Sequence, residues 1–303
     1  MSVKYQIRKV RRDGVSQRYW VAPTREHDDA VIGVMRDRLP TAESRKAQEL
    51  ARQLLQSPSV QELLYRSLVR QYEETKSSDL EPMSFLQHYL SRGYPEVEKL
   101  LVRLATEPSN WHARVAAITT IATSMDSRTP RLIREVADKA TDDWTAREAI
   151  ADLAINLRNK MQNLLSTEGI TPTREAILGV LETLGLALQG KWFEPTPQGE
   201  IKYILAALNY KRSEFEQVAR GQIPARVEET LIDGLVSILS LGSLTIDEFE
   251  KTLDVIKEWG SEYALAKLRS LLSDSLPQQR RMMVSNAIQE IEQRLKRKSD
   301  ESV

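Results

Sequence analysis

The chain has 303 residues and no cysteine. Disulfide scaffolds, thiolate zinc sites and cysteine nucleophiles are therefore excluded, and a reducing compartment is the natural expectation. Aromatic residues are scarce at 6%. The core must therefore be built mainly of Leu, Ile, Val and Ala, which together with abundant Glu, Gln, Lys and Arg favours helix over strand. No apolar run approaches the roughly 18 residues that a membrane span needs, and the first residues lack the apolar stretch of a signal peptide. A soluble chain of cytoplasmic location, with no membrane partner, is expected. Charge of one sign is also missing, since 43 basic and 43 acidic side chains cancel. The whole-protein basic field of many nucleic-acid binders is absent.

What is present is globular composition, 41% hydrophobic and 28% charged, and an uneven distribution of charge. Residues 1–25 carry seven bases (Lys4, Arg8, Lys9, Arg11, Arg12, Arg18, Arg25) against one acid, Asp13. In this stretch Asp13-Gly14 separates two runs rich in β-branched and aromatic residues, the pattern of a tight β-hairpin closed by Pro23. Residues 24–38 give mixed signals. From Thr41 the apolar residues recur at helical spacing almost to the end.

Helix starts are marked by Ser59 with Glu62 and by Thr245 with Glu248, both read as capping boxes. Others are marked by Pro95, Asn110, Thr129-Pro130, Asp143 and Thr171-Pro172. Pro195 and Pro197 make 190–199 the clearest internal loop, and Gly260 ends the helix opened by Thr245. The expected architecture is all-α, a helical and solenoid-like array with a small N-terminal β-hairpin. The expected divisions are a hairpin at 1–25, helical units at 39–190 and 198–298, and a frayed tail at 299–303.

One internal repeat stands out. Trp111-His112-Ala113-Arg114-Val115-Ala116 and Trp144-Thr145-Ala146-Arg147-Glu148-Ala149 share W-x-A-R-x-A at an offset of 33 residues, each after an Asn or Asp. A period of that length with a helix between the copies is the pattern of an α-solenoid. Pro224-Ala225-Arg226-Val227-Glu228 is a partial third match without the tryptophan. Over about 108–165 the segments SNWHARVAAITTIA and TDDWTAREAIADLA resemble HEAT-like repeats. The resemblance implies that Arg114 and Arg147 tie one repeat to the next. A second reading has Trp111, Arg114, Trp144 and Arg147 line a face that meets nucleic-acid backbone, where helix amides add to the cationic charge. The HEAT-like fold also occurs in DNA glycosylases that remove alkylated bases, with a catalytic acid beside paired tryptophans. Here only Trp144 with Asp142, Asp143 and Glu148 is loosely similar.

Catalytic and cofactor signatures are weak. Gly185-Leu-Ala-Leu-Gln-Gly190-Lys191 fits seven positions of a phosphate-binding loop, but the eighth, which must be Ser or Thr, is Trp192. The stretch is better read as the end of a helix with Gly190 beyond it. His27, His88 and His112 form no helical pair at metal-ligand spacing, so no metal and no cofactor are expected. The acidic doublets Glu73-Glu74, Asp142-Asp143 and Glu228-Glu229 read as solvated helix surface or caps. The basic N-terminus is different, because its charge exceeds what packing requires. Arg8, Lys9, Arg11, Arg12, Arg18 and Trp20 are the candidate contacts to DNA or RNA, the cations to phosphates or guanine edges and the indole to exposed bases. Two alternatives stand beside this expectation. One is a protein-binding scaffold on which the hairpin is a cap, and the other is the glycosylase.

Overall fold

The computed structural model describes residues 5–12, 15–21, 25–40, 44–165, 172–196, 199–272 and 276–300. The side chains of 5–28, 164–165 and 298–299 are not part of that description. From Arg25 onward every described regular element is helical, so the architecture is all-α. Backbone contacts divide the chain into two compact units, Met1–Thr120 and Ile121–Val303.

In the first unit the backbone of β1 (Tyr5–Arg12) runs antiparallel to β2 (Val15–Val21). The register pairs Gln6 with Trp20, Arg8 with Tyr19 and Lys9 with Arg18. It shifts between Gln6 and Arg8, leaving Ile7 without a Cα partner. The turn expected at Asp13-Gly14 and the closing Pro23 lie outside the described residues.

The helices of this unit are α1 (Arg25–Gly33), α2 (Arg45–Gln56), α3 (Pro58–Thr75), α4 (Ser84–Ser91) and α5 (Pro95–Thr106). The stretch of mixed sequence signals is itself helical, as α1 runs into a five-residue π-turn, Val34–Arg38. Widening the helix to i→i+5 bonding exposes carbonyls that need other donors. The buried Tyr89 hydroxyl of α4 supplies one, donating to the Met35 carbonyl at 3.0 Å. Tyr72 does the same for Asp79 at 2.8 Å, and burial pushes both phenols well above their usual range. Around them Met35, Leu64, Leu68, Met83, Leu86, Leu90 and Leu101 close the core. The capping box expected at Ser59 is displaced. Pro58 occupies the first turn, so the N-cap is Ser57, and Glu62 instead pairs with Arg103 at 2.8 Å.

Helix α6 (Trp111–Ser124) contains the point at which the two units are divided. The second unit then holds α7 (Thr129–Lys139), α8 (Asp143–Leu165), α9 (Arg174–Leu188), α10 (Ile201–Leu208) and α11 (Arg212–Val218). These are followed by α12 (Ala225–Leu239), α13 (Ile246–Trp259), α14 (Glu262–Leu272) and α15 (Gln278–Asp300). The proline loop does not separate domains. Helices α9 and α12, from either side of it, pack against each other, and their backbones meet at two glycines. A methyl on Gly234 would fall 2.5 Å from the Gly185 carbonyl oxygen, and one on Gly185 would fall 2.8 Å from the Thr230 carbonyl oxygen. Helix α13 starts with the expected capping box, Thr245 accepting from Glu248 N–H while the Glu248 carboxylate accepts from Thr245. The helix start read at Thr171 falls three residues later, where the Thr173 hydroxyl caps α9 by accepting from Ala176 N–H at 3.2 Å. The expected tail is shorter, because α15 continues through Ser299 to Asp300, while 301–303 lie outside the described residues.

Candidate functional site

Of the N-terminal candidates, Arg8, Lys9, Arg11 and Arg12 lie on β1, and Arg18 and Trp20 on β2. Their backbone positions are described and their side chains are not. The repeated tryptophan–arginine motifs are seen atom by atom, and they fall in different units.

In the first unit Trp111 opens α6. The preceding Asn110 accepts from His112 N–H at 2.9 Å, the side-chain capping expected of an Asn there. The Trp111 indole is 54% exposed and lies over the His112 ring, centroids 3.8 Å apart and tilted by 32°. The imidazole is held from its other side by a 3.0 Å hydrogen bond between Nδ1 and the Ser78 hydroxyl. This Ser78–His112 pair joins residues 34 apart and is not legible in the sequence. Arg114 turns back toward the start of its own helix, donating from Nε to the Pro108 carbonyl at 2.5 Å.

The second unit repeats the local cap but not the arginine's bonding. Asp142 accepts from Thr145 N–H at 2.8 Å, and Trp144 on the first turn of α8 is 40% exposed. Arg147 reaches out of its helix to the proline loop. It pairs with Glu200 at 3.1 Å, donates to the Glu194 carbonyl at 3.2 Å and lies 5.2 Å from the Phe193 ring centre. One turn from Trp144, Glu148 is half-buried. Burial, then the like charges of Asp152 and Glu200, hold its carboxyl above the usual range.

Ion pairing is dense elsewhere in the second unit. Glu182 on α9 accepts from Arg134 of α7 at 2.9 Å and from Arg226 of α12 at 2.7 Å. Burial alone would raise its carboxyl, but the two guanidinium groups together leave it below the usual carboxylate range. Glu228, read from sequence as solvated surface, is instead buried against Arg212 at 2.6 Å. Arg294 of α15 has a packing role, since it donates to the Lys257 carbonyl at the end of α13. Among the described residues no group of three or more histidines and acids could hold a metal ion. No helix there is long and apolar enough to cross a membrane.

Fold and site together define an all-α helical chain with exposed tryptophans at two helix starts and charge concentrated at one end. No family model matches the sequence and no curated protein matches it. One solved structure, described as "Computational Design of Self-Assembling Cyclic Protein Homooligomers", is similar over 90% of this chain and 81% of its own at 14% identity, with a TM-score of 0.17. That likeness is too slight to carry an argument.

Proposed function

We propose that this chain is a non-enzymatic, nucleic-acid-associated protein that contacts phosphates through a basic N-terminal β-hairpin. The hairpin is mounted on a helical array that includes a HEAT-like pair around 108–165. One observation carries the reading, the partition of charge. Residues 1–25 hold seven bases and one acid, so the remaining chain holds 36 bases and 42 acids, a net charge of −6. A polyanion is repelled by that remainder and attracted by the N-terminus. The strand register adds a second support, for Lys9 stands opposite Arg18. Like charges directly opposite each other on paired strands are destabilising, and a bound phosphate removes the penalty.

The test is binding of DNA and RNA oligonucleotides as a function of salt. Replacing Arg8, Lys9, Arg11 and Arg12 together by Ala is expected to flatten the log–log salt slope by about 3 to 4, near 0.9 for each phosphate no longer neutralised. Unchanged affinity and slope would overturn the reading.

Exposed Trp111 and Trp144 favour a second reading, a protein-interaction scaffold, because indoles are common anchors of protein interfaces. It predicts a partner whose capture is insensitive to salt and lost on replacing either tryptophan. The raised carboxyl of Glu148 beside Trp144 is the observation behind the glycosylase alternative. Release of an alkylated base that disappears in Glu148→Gln would bring that alternative forward.

A further inference from the structure

The first unit holds a second concentration of hydrogen-bond donors, away from the N-terminal strands in sequence. Gln48, Arg52 and Gln56 recur every four residues on α2 and so share one face of it. That face meets the turn between α4 and α5, and an open cleft of about 370 Å³ lies between Gln48, Arg52 and Gln56 on one side and Arg92, Tyr94 and Glu96 on the other. Gly93, at φ 77°, makes the left-handed turn that swings the chain from Arg92 into α5, a conformation glycine tolerates without strain.

The two guanidinium groups of the cleft are weakly committed. The only ion pair of Arg52 among the described residues is with Glu49, one turn back at 3.2 Å, and both side chains are more than half exposed. Such a pair contributes little. Arg92 is exposed and has no ion pair to a described carboxylate. At the start of α5, Tyr94 gives no side-chain cap, and Val97 and Glu98 N–H bond to its carbonyl. Pro95 has no N–H, which leaves the Glu96 amide ahead of the helical ladder, where an outside acceptor can take it.

We infer that this cleft is an anion site for a single phosphodiester of a nucleic-acid backbone, with Arg52 and Arg92 as its cationic ligands. The inference rests on the nucleic-acid reading and adds a second point of attachment to it. The charged donors of the walls are the two guanidinium groups, and planar guanidinium groups match phosphate oxygens in pairs. With Glu96 on the wall and Glu49 paired to Arg52, two carboxylates offset the two arginines, so a monoanionic phosphodiester is accommodated more readily than a dianionic terminal phosphate.

The experiment measures anisotropy of labelled oligonucleotides across a salt series, with wild type, Arg52→Ala/Arg92→Ala and Arg52→Lys/Arg92→Lys. Both positions are exposed, and unchanged circular dichroism and thermal midpoint establish that the variants fold. The alanine pair is expected to bind about tenfold more weakly, with the salt slope flattened by about 0.9. The lysine pair is expected to recover the slope but not the full affinity, because lysine keeps the charge and loses the two-pronged geometry. If the alanine pair keeps wild-type affinity and slope while the N-terminal alanine variant loses both, the cleft is not a site and the nucleic-acid reading survives. If wild type binds no oligonucleotide, both fail. Binding to phosphatidylglycerol vesicles that depends on Arg52 and Arg92, with no oligonucleotide binding, likewise overturns the inference in favour of a lipid headgroup.

Discussion

At Gly234 the backbone of α12 approaches α9 so closely that a side chain of any size must displace main-chain atoms, since the nearest is the Gly185 carbonyl oxygen at 2.5 Å. Alanine is the better helix former by about 1 kcal/mol. Overpacking a helix crossing costs about 1–3 kcal/mol, and more when backbone must shift. The steric term is therefore expected to win, and Gly234→Ala should lower stability by about 2 kcal/mol in urea unfolding. Gly242, where an added methyl would meet nothing within 4 Å, is the control, and Gly242→Ala should be close to neutral. A neutral Gly234→Ala would mean that α9 and α12 do not touch at this point. Gly185 is easily misread from sequence for a physical reason. It sits in a string that imitates seven positions of a phosphate-binding loop, whereas its role in packing depends on Thr230 and Gly234 of α12, three helices further along the chain. Gly190, by contrast, is legible as a helix end because its positive φ of 81° is a local need.

Elements are legible where their signals are local. Thr245 with Glu248 announces α13 because both halves of the box lie within one turn. Ser59 with Glu62 has the same spacing, yet Pro58 starts the helix two positions earlier than a cap at Ser59 would and frees Glu62 for Arg103, 41 residues away. The π-turn at Val34–Arg38 has no sequence signature, since its Met35 carbonyl is satisfied by a hydroxyl 54 residues downstream. The candidate cleft is half legible, for the four-residue spacing of Gln48, Arg52 and Gln56 can be read from sequence but the approach of Arg92 cannot. Long-range ties of this sort also join α7, α9 and α12 through Glu182. Its folded pKa lies below the ordinary 4.5, so the network adds stability above that pH and loses it as pH falls through the folded value. Arg226 is 83% exposed and adds little, whereas Arg134 and Glu182 are largely shielded. Glu182→Gln is therefore expected to cost about 2 kcal/mol at pH 7. The gap from wild type should close as pH falls through the lowered pKa of Glu182, as read by chemical unfolding at neutral and at acid pH. A gap that persists at low pH would assign the loss to packing rather than charge.

For the whole molecule, a formal charge of zero conceals opposed regions, +6 in residues 1–25 and −6 in the rest. That arrangement has a kinetic and an equilibrium consequence. A polyanion is attracted by the basic segment and weakly repelled by the net charge of the remainder, so encounter is favoured at the N-terminus, and both attraction and repulsion are screened as salt rises. The equilibrium consequence sets a magnitude. If about six or seven cations of the N-terminus each neutralise one phosphate, log affinity falls with log salt at a slope near −6. Between about 50 and 200 mM salt the affinity should then drop roughly a thousandfold or more. A drop of less than about fivefold would correspond to little more than one phosphate, too few to use the N-terminal charge, and would move the weight to the exposed tryptophans and a protein partner. The expected observation is a steep and linear loss in wild type, with the slope about halved when Arg8, Lys9, Arg11 and Arg12 become alanine.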